Sequence, residues 1–317
     1  MSTAASVISR LKIPTPFLVG DVFVYVIQGD TNILVDTGPY TEEAWEALCY
    51  GLGELSLQPS DIHMVVLTHH HPDHAGLAWK FEETAVIAGH PYTAAWLEKT
   101  EAHFDRIRTF YHDLYTSHGM EAEQIERIRR RQEKYRAFSL ESSMHRSLKE
   151  GDVLPGFPDW RVVYTPGHAQ THVSLMDSTG RTIGGDHLLP HISSNAILEA
   201  PQAGEDRPKT LLQYRESLKK FRKASVVYPG HGDIVQDPLP LVEKRLREQI
   251  TKAARFKEVM NGEPMTAAAL TETFYPDMYQ KQPDLTFSET LGHLDLLEAQ
   301  EALYWVETDG VWTAVPR

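Results

Sequence analysis

The sequence predicts an α/β protein with a helical insertion and a mostly helical C-terminal block. Three observations lead there. Short β-like runs that end in Gly or Pro turns fill residues 17–90 and return over 151–240. Between them, residues 91–148 switch to apolar residues at helical spacing. Residues 241–317 continue with helical patterns and close on a hairpin signal. At 317 residues the length allows about two domains, divided here as 1–240 and 241–317.

Each block has its own local logic. In the first, Thr41–Leu52 reads as a helix, with Thr41 as N-cap and Glu42 and Glu43 in the first turn. Ile62 to Leu67 is a strongly apolar run that reads as a buried strand. The insertion carries Ala95, Trp96, Phe104, Ile107, Phe110, Tyr111, Leu114, Ile125, Ile128 and Tyr135, enough for two or three helices. In the last block, a short helix starts at Thr266–Leu270. Ser288 is a candidate cap for a second helix, Glu289 to Ala302. Tyr304–Glu307 and Val311–Val315 flank an Asp309-Gly310 turn as a hairpin.

The strand ending at Leu67 runs into Thr68-His69-His70-His71-Pro72-Asp73-His74. His69, His71, Asp73 and His74 are metal-capable, and imidazole nitrogens with carboxylate oxygens suit zinc, iron or manganese. A solvated His-rich loop is the plainer alternative in a chain with 16 His. Three later segments repeat one arrangement, a β-like run, a Gly turn and a donor: Arg161–Tyr164 before Pro166-Gly167-His168, Arg181–Ile183 before Gly184-Gly185-Asp186, and Ser225–Tyr228 before Pro229-Gly230-His231. Gly and Pro let the chain turn sharply at a strand end and present the next side chain at the rim of a sheet.

Composition narrows the partners. Lys and Arg number 31 against 44 Asp and Glu, a net charge of −13. That argues against non-specific binding to nucleic acid or an anionic membrane and leaves room for a local basic groove. The single Cys49 allows no intrachain disulfide and reads as a small buried helix residue. Met1 to Pro16 holds no long apolar region or cleavage pattern, and no window is long and apolar enough to span a membrane. The expected location is the cytoplasm.

The full donor set resembles the metallo-β-lactamase superfamily. Its H-x-H-x-D-H motif matches His69, His71, Asp73 and His74; its later donors match His168, Asp186 and His231; and the strand pair ending in Asp36-Thr37-Gly38 matches as well. The resemblance spans roughly residues 17–240 with a gap in the middle. It implies an αββα sandwich of two sheets face to face with helices outside, and two divalent metal ions at one sheet edge, zinc by preference with iron or manganese open. It implies one site of His69, His71 and His168, a second of Asp73, His74 and His231, and Asp186 bridging them. Asp36 would lie beneath the site and orient a ligand, or else be an ordinary strand-end turn.

The activity implied is that of a metal-dependent hydrolase, of the thioesterase or lactonase type, in which a metal-bound hydroxide attacks a carbonyl carbon of a small-molecule substrate. Asp73 would orient and deprotonate the water as well as ligate, and His191 is a candidate proton donor or substrate contact, slightly ahead of His187. His70, between two ligands, is expected to point away from them. A nuclease or an iron-dependent oxidoreductase on the same fold is the alternative. Two features of the flanking segments bear on this. Arg127, Arg129, Arg130, Arg131, Lys134 and Arg136 form either a cap over an anionic substrate or, as favoured here, a solvated helix face with pairs such as Glu126–Arg130. The C-terminal block resembles the winged-helix-like module that follows the core in one branch of the superfamily. Ser288–Glu301 carries Glu289, Asp295, Glu298 and Glu301 without Lys or Arg, so it reads as a packing or homodimer module and not a DNA reader.

Overall fold

The computed structural model describes residues 6–317. Two sheets form its centre. The first contains β1 (Val7–Ile13), β2 (Val22–Gln28), β3 (Asn32–Val35), β4 (Met64–Val66), β5 (Val86–Gly89) and β6 (Arg146–Ser147), hydrogen-bonded in that order. β1 to β3 are antiparallel and β3 to β6 parallel. The second contains β7 (Val153–Leu154), β8 (Phe157–Tyr164), β9 (Val173–Asp177), β10 (Arg181–Gly185) and β11 (Val226–Pro229), antiparallel except for the parallel β10–β11 pair.

Alternation along the strands explains the layering. On β2, Val22, Val24 and Val26 belong to a core shared with Leu48 and Leu52 of helix α1 (Glu42–Glu54), whereas Tyr25 and Ile27 face the other way. There they meet Trp160, Val162, Val173 and Leu175 of the second sheet, in the apolar layer between the sheets. The far side of the second sheet is covered by α6 (Thr210–Lys220), α7 (Pro238–Met260) and α10 (Pro283–Ala299), through Leu211, Leu218, Val242 and Leu291. The order of layers is helix, sheet, sheet, helix, the αββα sandwich that the resemblance implies.

The short α2 (Pro72–Ala75) lies inside the His-rich segment, and residues 91–148 supply three helices: α3 (Thr93–Glu98), α4 (Glu101–Ser117) and α5 (Ala122–Arg136). They form the crossover between the parallel strands β5 and β6. The C-terminal block adds α8 (Ala267–Phe274), α9 (Pro276–Tyr279) and the hairpin β12 (Leu303–Thr308) with β13 (Val311–Pro316). Leu114, Tyr115 and Ile128 of the insertion share one apolar cluster with Phe287, Leu294 and Leu303 of this block.

Local signals placed most ends well. The Thr41 hydroxyl caps α1 by accepting from the Ala44 amide at 3.1 Å, and Thr266 does the same for Ala269 at 3.2 Å. The start of α10 differs from expectation. It begins at Pro283, not at Ser288, because Pro occupies the first helical position and the following turn, with Phe287, is buried. Ser288 lies mid-helix, buried, where its hydroxyl accepts from the Leu198 amide at 3.3 Å. The acidic residues of α10 serve intramolecular packing: Asp295 pairs with Arg207, Glu298 with Lys209 and Glu289 with Lys252. Among the described residues no helix is long and apolar enough to cross a membrane.

Candidate metal centre

The donors follow strand ends. His69 to His74 come after β4, His168 after β8, Asp186 directly after β10 and His231 after β11. β8, β10 and β11 run in the same direction, so their C-terminal ends open at one rim. Side chains at carboxyl ends of strands, with backbone turns beneath them, make a crevice suited to ligands.

Seven donors gather there in two groups, each with its ligand atoms within 4.8 Å of one another: His69, His71 and His168, then Asp73, His74, Asp186 and His231. In the first, His71 Nδ1 lies 2.9 Å from His69 Nε2 and 3.1 Å from His168 Nε2. Asp186 reaches both groups. Its Oδ1 is 3.3 Å from His74 Nε2, and its Oδ2 is 3.5 Å from His231 Nε2 and 3.8 Å from His168 Nε2.

The outward nitrogen of most rings is held, which sets the tautomer and aims the other nitrogen inward. His168 Nδ1 donates to the Asn195 carbonyl at 2.9 Å, and His231 Nδ1 to the Asp21 carbonyl at 2.8 Å. His74 Nδ1 donates to Asp36 Oδ2 at 2.8 Å. His69 Nδ1 is 3.0 Å from the Thr68 hydroxyl, which itself donates to Asp36 at 2.8 Å. Asp36 therefore lies beneath the cluster and braces two of its histidines, one of them through Thr68.

Two glycines make the approach possible. A Cβ on Gly230 would stand 2.2 Å from Asp186 Oδ1. Gly185 has φ +51°, and a Cβ there would meet His172 Nε2 at 2.6 Å. His172, unassigned from sequence, is buried beneath Asp186 and accepts from its amide at 3.2 Å.

Burial pushes His69 and His71 down, His71 to about 3, and neighbouring imidazoles add to the effect; burial lowers His168 as well. These rings are neutral and carry free lone pairs. Burial opposes charge on His74 and His231 too, but the carboxylates of Asp186 and Asp73 (with Asp36 for His74) outweigh it and raise both. Asp73 feels burial upward, and His74 and His231 overcome it, holding the carboxyl at about 2. The carboxylates of Asp73 and Asp186 thus favour positive charge at His74 and His231, which a divalent cation held there would supply instead. Buried His74 Nε2, His231 Nε2 and Asp186 Oδ1 have no hydrogen-bond partner. Orphaned donors of this type, converging from two sides, fit divalent metal ions.

The other histidines are elsewhere. His70 points away, stacked on Trp96 at 3.8 Å between ring centroids. His187 is buried, stacked on Phe221 and held low at about 3 by burial. His191 does not join the donors. Its side chain is 70% exposed, 3.4 Å from Asp233, with its ring against Gly232 at the rim. Just before His191, Arg245 holds the carbonyls of Leu189 and Pro190.

The Arg-rich stretch of α5 is engaged within the protein. Arg129 and Arg130 pair with Glu126, while Arg127 and Arg131 bond the Gln280–Lys281 segment. The residue of α5 that reaches the cluster is Tyr135, whose hydroxyl donates to Asp73 Oδ1 at 3.0 Å. In the sequence it was one more apolar residue at helical spacing, with nothing to single it out.

An αββα sandwich with paired His and Asp donors at one rim defines a class of metal-binding proteins. The sequence profile of the metallo-beta-lactamase superfamily matches residues 17–231, and the chain belongs to that superfamily. It is 39% identical over 300 residues to the probable metallo-hydrolase YqjP of Bacillus subtilis, covering 93% of this chain and 94% of that one. The crystal structure of metallo-beta-lactamase family protein TTHA1429 from Thermus thermophilus is similar at a TM-score of 0.82, 28% identity and 98% coverage of both chains. A beta-lactamase domain protein from Burkholderia ambifaria shares the fold at a TM-score of 0.74 and 23% identity, covering 98% of this chain and 91% of that one.

Proposed function

We propose that the protein is a dinuclear metal-dependent hydrolase acting on a carbonyl carbon of a small thioester, lactone or related substrate. The observation that carries this reading is Asp186, whose Oδ1 faces His74 and whose Oδ2 lies between His231 of one donor group and His168 of the other. His69, His71 and His168 would hold one divalent cation, and Asp73, His74 and His231 the other, zinc being our assignment for both. When bound, such a pair supplies an acidified water as nucleophile and a Lewis acid for the developing oxyanion.

The side chains do the rest. Asp186 sets the spacing of the two groups. Asp36 and Thr68 keep His74 and His69 in the ligating tautomer. Asp73 is assigned to assist in orienting and deprotonating the attacking water besides ligating; its Oδ2 faces His231 Nε2 at 3.3 Å. A small carbonyl substrate is favoured over a phosphodiester by the net charge of −13 and by the internal pairing of Arg127, Arg129, Arg130 and Arg131.

The test is elemental analysis of purified protein beside a panel of thioester, homoserine lactone, β-lactam and phosphodiester. Two metals per chain with turnover of a carbonyl ester is the expected result. One iron per chain, or cleavage of the phosphodiester alone, would overturn it.

A further inference from the structure

The outer partners of the histidine donors come from the two sheets and their loops: Asp36 and Thr68 below β3 and β4, the Asp21 carbonyl, and the Ser194–Asn195 turn. Tyr135 comes from the helical insertion. Its hydroxyl takes Asp73 Oδ1, while Oδ2 of the same carboxylate faces His231 Nε2 at 3.3 Å and His74 Nε2 at 3.9 Å. One oxygen is held from outside and the other is presented inward.

We propose that Tyr135 is a positioning residue that fixes the plane of the Asp73 carboxylate, so that the cation site of Asp73, His74 and His231 depends on the insertion while the three-histidine site does not. This rests on the metal-centre reading above.

A hydroxyl can do this only if its ring is itself held. Phe17 packs on Tyr135 at 4.8 Å and on Phe138 at 5.1 Å between ring centroids. The Phe138 carbonyl accepts from the Tyr40 amide at 2.7 Å. At its other end α5 is tied to the segment before α10, where Arg127 bonds Gln280 and Arg131 bonds the Lys281 carbonyl. Hydrogen-bond partners outside the ligand shell orient metal-binding carboxylates, and their loss typically costs about 10–100-fold in metal affinity.

The experiment compares the wild-type protein with Tyr135→Phe, which removes only the hydroxyl. Zn2+ affinities are measured by competition with a chromophoric chelator, and the visible spectrum of each Co2+-substituted protein is recorded. Expected is about a 10–100-fold loss for one of two cations, the other unchanged, with altered cobalt bands at that site alone. In an Asp73→Ala background, which removes the acceptor, Tyr135→Phe should have no further effect, since Tyr135 acts through Asp73.

Unchanged affinities and spectra, equal weakening of both cations, or additive effects in the double variant would overturn the proposal while leaving the metal-centre reading intact. Wild-type protein that takes up no cation would overturn both.

Discussion

Asp36 accepts from His74 Nδ1 with one carboxylate oxygen, at 2.8 Å, and from the Thr68 amide with the other, at 2.7 Å. It does so from φ +63°, a left-handed conformation that Asp tolerates better than most residues. One side chain thus ties the end of β3 to the start of the His-rich segment and sets the tautomer of a donor. Asp36→Asn removes the charge that favours the Nδ1–H form. Affinity for the cation bound by His74 is expected to fall about 10–100-fold, as read by chelator competition. Asp36→Ala also strands the buried Thr68 amide, a cost of about 1–3 kcal/mol in urea unfolding of the metal-free protein.

Gly230 has no room for a side chain. Its Cβ would sit 2.2 Å from Asp186 Oδ1 and 2.7 Å from the Cε1 of His74. Gly230→Ala is expected to displace the bridging carboxylate and bring metal content below two per chain with nearly complete loss of turnover, much as Asp186→Ala should. Full activity with two bound metals in Asp186→Ala would contradict the bridging role.

Glu199 offers a pH test away from the donors. Burial raises its carboxyl to about 8, against the pull of the Gln170 amide that it accepts at 2.8 Å. A raised folded-state pKa means that the folded protein binds the proton more tightly than the unfolded chain. The resulting stability is complete below the unfolded carboxyl value of about 4.3 and is lost as pH rises through about 8. Glu199→Gln keeps an acceptor for Gln170 and removes the titration. The variant should match wild type near pH 4 and exceed it by roughly 1–4 kcal/mol at pH 9. Parallel stability curves across this range would show that Glu199 ionises freely in the folded state.

His191 tests the rim. Its ring is exposed and lies against Gly232, the residue after His231. His191→Ala is expected to raise KM about 2–10-fold with kcat within about twofold, the pattern of a lost substrate contact. A kcat reduced by about 100-fold at constant KM would assign it to proton transfer instead.

The donors were legible because each is encoded locally. A β-like run, a turn residue and a His or Asp occupy a few neighbouring positions; which strand ends share a rim is decided by the pairing of β8, β10 and β11 and the stacking of the two sheets. The αββα layering was expected from the family resemblance; in the structure Val22, Val24 and Val26 alternate with Tyr25 and Ile27 to face the two layers. Tertiary structure decided what local signals could not carry. Ser288 has a good capping side chain, yet α10 starts at Pro283 because the extra turn buries Phe287. His191 shares a loop with Asp186, yet its side chain is exposed, just past the carbonyls of Leu189 and Pro190 that Arg245 holds. Tyr135 meets Asp73 across 62 positions of sequence because α5 packs Ile128 into the apolar cluster of the C-terminal helices. Local periodicity specifies which face of a helix is apolar; which neighbour that face meets is settled only by burial of surfaces far apart in the chain.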